Sequence, residues 1–212
     1  MGFIKCIDNV KLLGIDIHSQ LNFDKHLKSI CTKAGRQINV IMRLSNILDI
    51  KVKESMYKTF IKSTFNYCPV VWMMCSKGNL TKLEKLQCRA LRFVYCDYLS
   101  SYDELLTRSR QLSLSIQLMQ NLAVEVYKCM NGSAPAYLCS LFDLQNHKYN
   151  CRGHKSLKQK KFKTIKHGYQ SFTYMGSKLW NALPNEARKS ADVNTFKKAI
   201  NDFNFCNMHR LV

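Results

Sequence analysis

The chain has 212 residues, long enough to bury a sizeable core as one domain or two small ones. Lys and Arg number 33 against 14 Asp and Glu, and the resulting charge of +19 exceeds what solubility requires, which points to nucleic acid or an anionic membrane as partner. A membrane-spanning role is not expected, because the longest apolar run, Cys68 to Cys75, is far too short for a bilayer.

Residues 3–17 alternate loosely, with Asp8-Asn9 between two β-prone runs, and this predicts a hairpin. From Asn22, a suitable N-cap, the period becomes helical. Leu27, Ile30, Ala34, Ile38 and Ile41 form its buried stripe, with Lys25, Arg36 and Arg43 almost opposite. A second helix is expected after Asp49. Its inward positions are Tyr57, Phe60, Thr64 and Tyr67, while Lys51, Lys58 and Lys62 line another side and Pro69 ends or kinks it.

A third helix is expected over about 79–95, with Gly78 as the break before it. On this helix Lys82, Lys85, Arg89 and Arg92 fall within an arc of about 80°, beside an apolar arc of Leu83, Leu86, Ala90, Phe93 and Val94. Such a segment packs with one face and offers fixed positive charge with the other. Ser101-x-x-Glu104 is a capping-box pattern that starts a short helix. Residues 113–131 are apolar nearly all round and read as a core helix closed by Asn131-Gly132.

Between 144 and 185 there is no acidic residue but nine Lys or Arg, with Lys158, Lys160, Lys161, Lys163 and Lys166 the densest group. This segment predicts an extended basic connector over 144–166, followed by a helix near 169–182 and a last one from Asp192 to about Phe205.

Few of these residues suggest bond-making chemistry. No Gly-x-Ser-x-Gly and no Gly-rich phosphate loop occurs. Cys139, His147, Cys151 and His154 are the one group with metal-ligand character. Only Cys151-x-x-His154 has suitable spacing, so no metal and no cofactor is expected. The ten cysteines have no regular spacing, and Met1-Gly2-Phe3-Ile4-Lys5 is not followed by an apolar signal region. They are expected to be reduced thiols in an intracellular protein. Phe65, Tyr67 and Trp72 lie among Val70, Val71, Met73 and Met74 and read as core rather than as a platform for bases, as does Trp180. Tyr169 and Tyr174 fit either role.

Several motifs then occur in a telling order. They are Val10-Lys11-Leu12-Leu13-Gly14-Ile15, the helix from Phe23, and Tyr67-Cys68-Pro69-Val70-Val71-Trp72. Leu83-Glu84-Lys85-Leu86-Gln87-Cys88-Arg89-Ala90-Leu91-Arg92 and Ser101-Tyr102-Asp103-Glu104-Leu105-Leu106 follow. Asn131-Gly132-x-Ala134-Pro135-x-Tyr137-Leu138 and Leu179-Trp180-Asn181-Ala182-Leu183-Pro184 complete the series. From about residue 10 to 205 this order resembles the C-terminal part of the reverse transcriptase of non-LTR (LINE-type, jockey-like) retrotransposons. The resemblance implies that the hairpin, with Leu13 and Gly14, ends the palm as a primer grip. It also implies that the helices beyond form the thumb that holds the template–primer duplex, and that the protein resides in the nucleus. Leu12 stands where that family often has Tyr, which affects detailed primer contacts.

The same resemblance places the fingers and catalytic palm before residue 1. Two-metal chemistry needs at least two carboxylates converging on ions roughly 3.5–4 Å apart. Tyr95-Cys96-Asp97-Tyr98 echoes the family's Tyr-x-Asp-Asp but lacks the second Asp and follows the hairpin instead of preceding it. The chain by itself is therefore not expected to be an enzyme.

The expected fold is mainly α: a thumb-like helical bundle with a short N-terminal β-hairpin and a basic extended connector. The expected divisions are 1–21, 22–142, 143–168 and 169–212. The expected partner is an RNA or DNA duplex, held by backbone contacts from Lys25, Arg36, Arg43, Lys58, Lys62, Lys82, Lys85, Arg89, Arg92, Lys158, Lys160, Lys161 and Lys163, with no membrane involved. The rival reading is a helical interaction protein co-opted by the host, whose basic surface meets an acidic partner protein.

Overall fold

The computed structural model describes residues 8–74, 77–145, 156–201, 203 and 205. The protein is mainly helical with one small antiparallel hairpin, and it divides into two compact units, Met1–Leu114 and Ser115–Val212. Among the described residues no helix is long and apolar enough to cross a membrane.

The first unit opens with β1 (Asn9–Leu12) and β2 (Ile15–His18), paired Val10 to Ile17 and Leu12 to Ile15. The turn is Leu13-Gly14, not Asp8-Asn9. Both turn residues have positive φ, 47° and 82°, the two-residue geometry whose twist matches the flanking strands. Gly14 adopts this conformation cheaply, and Leu13 is held in it by the Tyr67 hydroxyl, which donates to its carbonyl. The first run proposed from sequence, residues 3–7, lies outside the described residues.

Helix α1 (Asp24–Leu44) buries Leu27, Ile30, Ala34, Ile38 and Ile41 as the period requires, together with His26. The Asn22 side chain accepts the Asp24 amide hydrogen at 3.0 Å, so it serves the helix start from one residue further out than a formal cap. The next rod comprises α2 (Ile50–Met56), a π-helical turn (Tyr57–Lys62) and α3 (Ser63–Phe65). Its inward face is Lys53, Tyr57, Ile61, Thr64 and Phe65. Phe60 and Tyr67, expected inside, are 53% and 46% exposed. The π-helical turn is the physical reason: its wider spacing brings residues four apart, 57, 61 and 65, onto one line and turns Phe60 outward.

After a 3-10 turn (Pro69–Met74) comes α4 (Lys77–Tyr95). Gly78 lies within the first turn of this helix instead of before it, where the backbone amides need no helical partner and glycine weakens the helix least. Tyr57 and Tyr102 meet the fully buried Gln87 of α4. Gln87 Nε2 donates to the Tyr57 hydroxyl at 3.2 Å and to the Leu112 carbonyl at 3.1 Å, while the Tyr102 hydroxyl donates to Gln87 Oε1 at 2.6 Å. Helix α5 (Tyr102–Ser109) carries the expected capping box. Ser101 Oγ accepts from the Glu104 amide at 3.3 Å, and Glu104 Oε2 accepts from the Ser101 amide at 2.8 Å.

In the second unit α6 (Leu114–Met130) supplies the core. Tyr127 stacks on Phe196 with ring centroids 4.3 Å apart, and Trp180 lies 6.5 Å from Tyr127. Gly132 ends the helix with φ +67°. Helix α7 is Ala136–Cys139. The connector pairs Leu144 with Leu157 in an isolated bridge and continues to Thr164 without regular structure, apart from a bend at Lys163. Asn181 clamps it, accepting from the Leu157 amide and donating to the Leu157 carbonyl, each at 2.8 Å.

A π-helical turn (Ile165–Tyr169) precedes α8 (Phe172–Ala182), which therefore starts later than the composition suggested. Close backbone packing explains Gly176 there, since a Cβ would lie 2.8 Å from Val126 Cγ2. Two short helices follow, α9 (Asn185–Arg188) and α10 (Val193–Asn201). Asp192 Oδ1 accepts the Thr195 amide hydrogen at 2.7 Å at the start of the last.

Candidate nucleic-acid interface

Helices α1 and α4 pack together and run in the same direction. Asn79, near the start of α4, donates to Asp24 Oδ1 at 2.6 Å, and Arg89, nearly three turns later, donates to Asn39 Oδ1 at 3.1 Å. A groove at the head of the pair is lined by Asp24, Leu27, Lys28, Cys31, Asn79 and Lys82. On α1, Lys25, Arg36 and Arg43 are exposed and fall on one outward line, because steps of eleven and seven residues are close to three and two whole turns. On α4, Lys82, Lys85 and Arg89 are exposed beside the seam. Lys82 donates to Asn79 at 3.2 Å, and the Arg89 guanidinium lies 5.7 Å from the Phe93 ring centroid. None of these six pairs with a carboxylate among the described residues. Arg92 differs: it is half-buried, and its Nε is buried without a hydrogen-bond partner among the described residues.

Lys28 and Lys33, which were not among the sequence-selected residues, complete this wall. Projection at 100° per residue places Lys28 between the α1 line and the seam and Lys33 at its far edge, so the signal lay in the same helical wheel. Lys33 also lines a second groove, with Lys11, Gly14, His26, Ser29 and Tyr67, under the hairpin turn. Leu13 at that turn is 82% exposed, and Gly14 lies 3.6 Å, from an ideal Cβ position, from the Tyr67 hydroxyl. Burial lowers the pKa of His26, opposed by the nearby Asp16 carboxylate at 3.9 Å.

The remaining cations are placed differently. Lys58 lies 3.9 Å from Glu54, and Lys62 donates to Gln111 Oε1 at 2.7 Å, with its pKa lowered by burial. Lys158, Lys160, Lys161 and Lys163 are exposed on the connector of the second unit, and Lys160 lies 3.5 Å from Asp143.

Asp97 has a local structural task. Its carboxylate accepts from the Ser100 hydroxyl at 2.7 Å and from the Ser100 and Leu99 amides at 3.0 and 3.2 Å, and these bonds, led by that from the hydroxyl, lower its pKa. Cys139 Sγ donates to the Ala134 carbonyl at 3.4 Å, while His147, Cys151 and His154 lie outside the described residues. Phe65 and Trp180 are buried, as expected of core residues, whereas Tyr67 is not; the side chain of Trp72 lies outside what is described. Tyr169 and Tyr174 meet edge to face at 4.9 Å, with Phe162 against both.

No protein-family model and no solved structure matches the chain. Among curated proteins, one from Drosophila melanogaster described as a probable RNA-directed DNA polymerase from transposon BS is 27% identical over 92 residues, covering 42% of this chain. The match takes in 10% of that protein, so the chain spans a small part of its relative's length. Over that stretch the chain is similar to a transposon reverse transcriptase.

Proposed function

We propose that this chain is the thumb and following C-terminal segment of a non-LTR retrotransposon reverse transcriptase, and that it holds a template–primer duplex by its sugar-phosphate backbones. The observation that carries the proposal is the run of exposed cations along α1 and the adjoining flank of α4, free of carboxylate partners among the described residues. Regularly spaced cations on two rigid rods suit the repeating phosphates of a duplex, and such contacts position it without reading sequence. The order of motifs along the chain and the similarity to a transposon RNA-directed DNA polymerase support the same reading. Lys58, Lys62 and Lys160 contribute less, because each already has a partner.

In this reading the chain grips the duplex, and the metal-holding carboxylates of polymerisation belong to another part of the polymerase. Asp97 is committed to its turn and is not one of them. Fluorescence anisotropy with a labelled RNA–DNA hybrid tests the proposal. Binding that is indifferent to base sequence and weakens steeply with salt is the expected result. Saturable binding to an acidic protein, with none to the hybrid, would replace it with the interaction-protein reading.

A further inference from the structure

Lys53 is 5% exposed, yet it pairs with no carboxylate among the described residues. Its Nζ donates to the Ser45 carbonyl at 3.1 Å and lies 3.3 Å from Cys96 Sγ. Burying an ammonium is costly unless nearby groups compensate, and one neutral carbonyl is meagre compensation, so the sulfur is a substantial part of this lysine's surroundings. Cys96 itself is exposed, so small oxidants reach the pair from solvent.

The approach is fixed on both sides. The residue after Lys53, Glu54, accepts from the hydroxyl of Tyr95 at 2.8 Å, so residues 53 and 54 meet residues 95 and 96 in two consecutive contacts. Asp97, next in the chain, is bound to Ser100, and Cys96 sits in the left-handed region at φ 52° just past the end of α4. Neither partner has far to move, and two held reactive atoms in contact react as if at high local concentration.

We propose that Lys53 and Cys96 are a redox modification site in which one oxygen atom bridges Nζ and Sγ, with dioxygen as the oxidant. The ammonium first gives one proton to solvent. The neutral amine then loses one N–H bond and the thiol its S–H bond, and N–O and O–S bonds form. The O–O bond breaks, and the second oxygen leaves as water with the two hydrogens, so the nitrogen–sulfur pair is oxidised while dioxygen is reduced. The product ties the start of the second helical rod to the end of the cation-bearing helix. Dithiol reductants return amine, thiol and water.

Peptide mapping by mass spectrometry, on protein kept in air and on protein kept anaerobically, tests this. The air-exposed protein is expected to yield a joined peptide pair containing residues 53 and 96, heavier by one oxygen and lighter by two hydrogens than the separate peptides. Trypsin should fail to cut after Lys53, and dithiothreitol should reverse both signs. Cys96→Ser, a change at an exposed position, and Lys53→Arg should each abolish the joined pair. Cys96 carried up to sulfinic acid with Lys53 still cleavable would overturn the proposal, as would Cys96 linked to another cysteine or no air-dependent change at all.

Discussion

Gln87 has no exposed surface, and each end of its amide is used by a different part of the first unit. It joins the second rod through Tyr57, α5 through Tyr102 and the following loop through Leu112. Replacing it with Leu keeps the volume but removes three hydrogen bonds and leaves the Tyr102 hydroxyl without this acceptor. Urea unfolding should show a loss of about 2–4 kcal/mol. His26 provides a second test at this scale. Burial holds its pKa below the unfolded value of about 6.5, so the unfolded chain takes up a proton before the folded one does. Its contribution is fully present above about pH 6.5 and is lost as the pH falls from there towards the folded pKa. Stability should therefore decline between pH 7.5 and 5.5, and His26→Gln should flatten that decline. Asp97 and Asp192, whose pKa values are also lowered, act only further down, in the carboxylate range.

At the scale of elements, the π-helical turn at Tyr57–Lys62 decides which residues of the second rod face inward. Ile61→Ala should cost about 2–5 kcal/mol, while Phe60→Ala should stay within about 0.5 kcal/mol. Equal losses from the two in thermal or urea melts would mean that the rod is an ordinary α-helix throughout. The sequence did not disclose this turn, because a widened turn changes the phase of the pattern without adding any distinctive residue. Where phase and chemistry agree, legibility was good. The α1 stripe Leu27, Ile30, Ala34, Ile38 and Ile41 needed only the 3.6 period, and the Ser101–Glu104 box needed only its two residue types. A hairpin was expected within residues 3–17, but the run Val10 to Ile17, read as its second strand, holds most of both strands and the turn between them. Asp8-Asn9 looked like turn chemistry, whereas Leu13-Gly14 depends on the Tyr67 hydroxyl, 54 residues away along the chain, to hold Leu13 at positive φ. The cations were legible as charges and not as a surface. Only the packing of α1 on α4 distinguishes Lys82 and Arg89, beside the seam with Lys28, from Lys62, which is drawn to Gln111.

For the molecule as a whole, a charge of +19 guarantees some salt-sensitive attraction to any polyanion, so affinity alone says little about a shaped site. What distinguishes a site from diffuse charge is that particular cations count and others do not. The most direct measurement is the slope of log affinity for an RNA–DNA hybrid against log salt concentration, for the wild type, a wall variant (Lys82→Ala, Lys85→Ala, Arg89→Ala) and a control variant (Lys58→Ala, Lys62→Ala). Each phosphate contact contributes about 0.9 to the slope on B-form DNA. The wall variant should be shallower than the wild type by about 2–3, with the control close to the wild type. Equal loss of slope in the two variants, or a wall variant indistinguishable from the wild type, would contradict a duplex-holding face on α1 and α4.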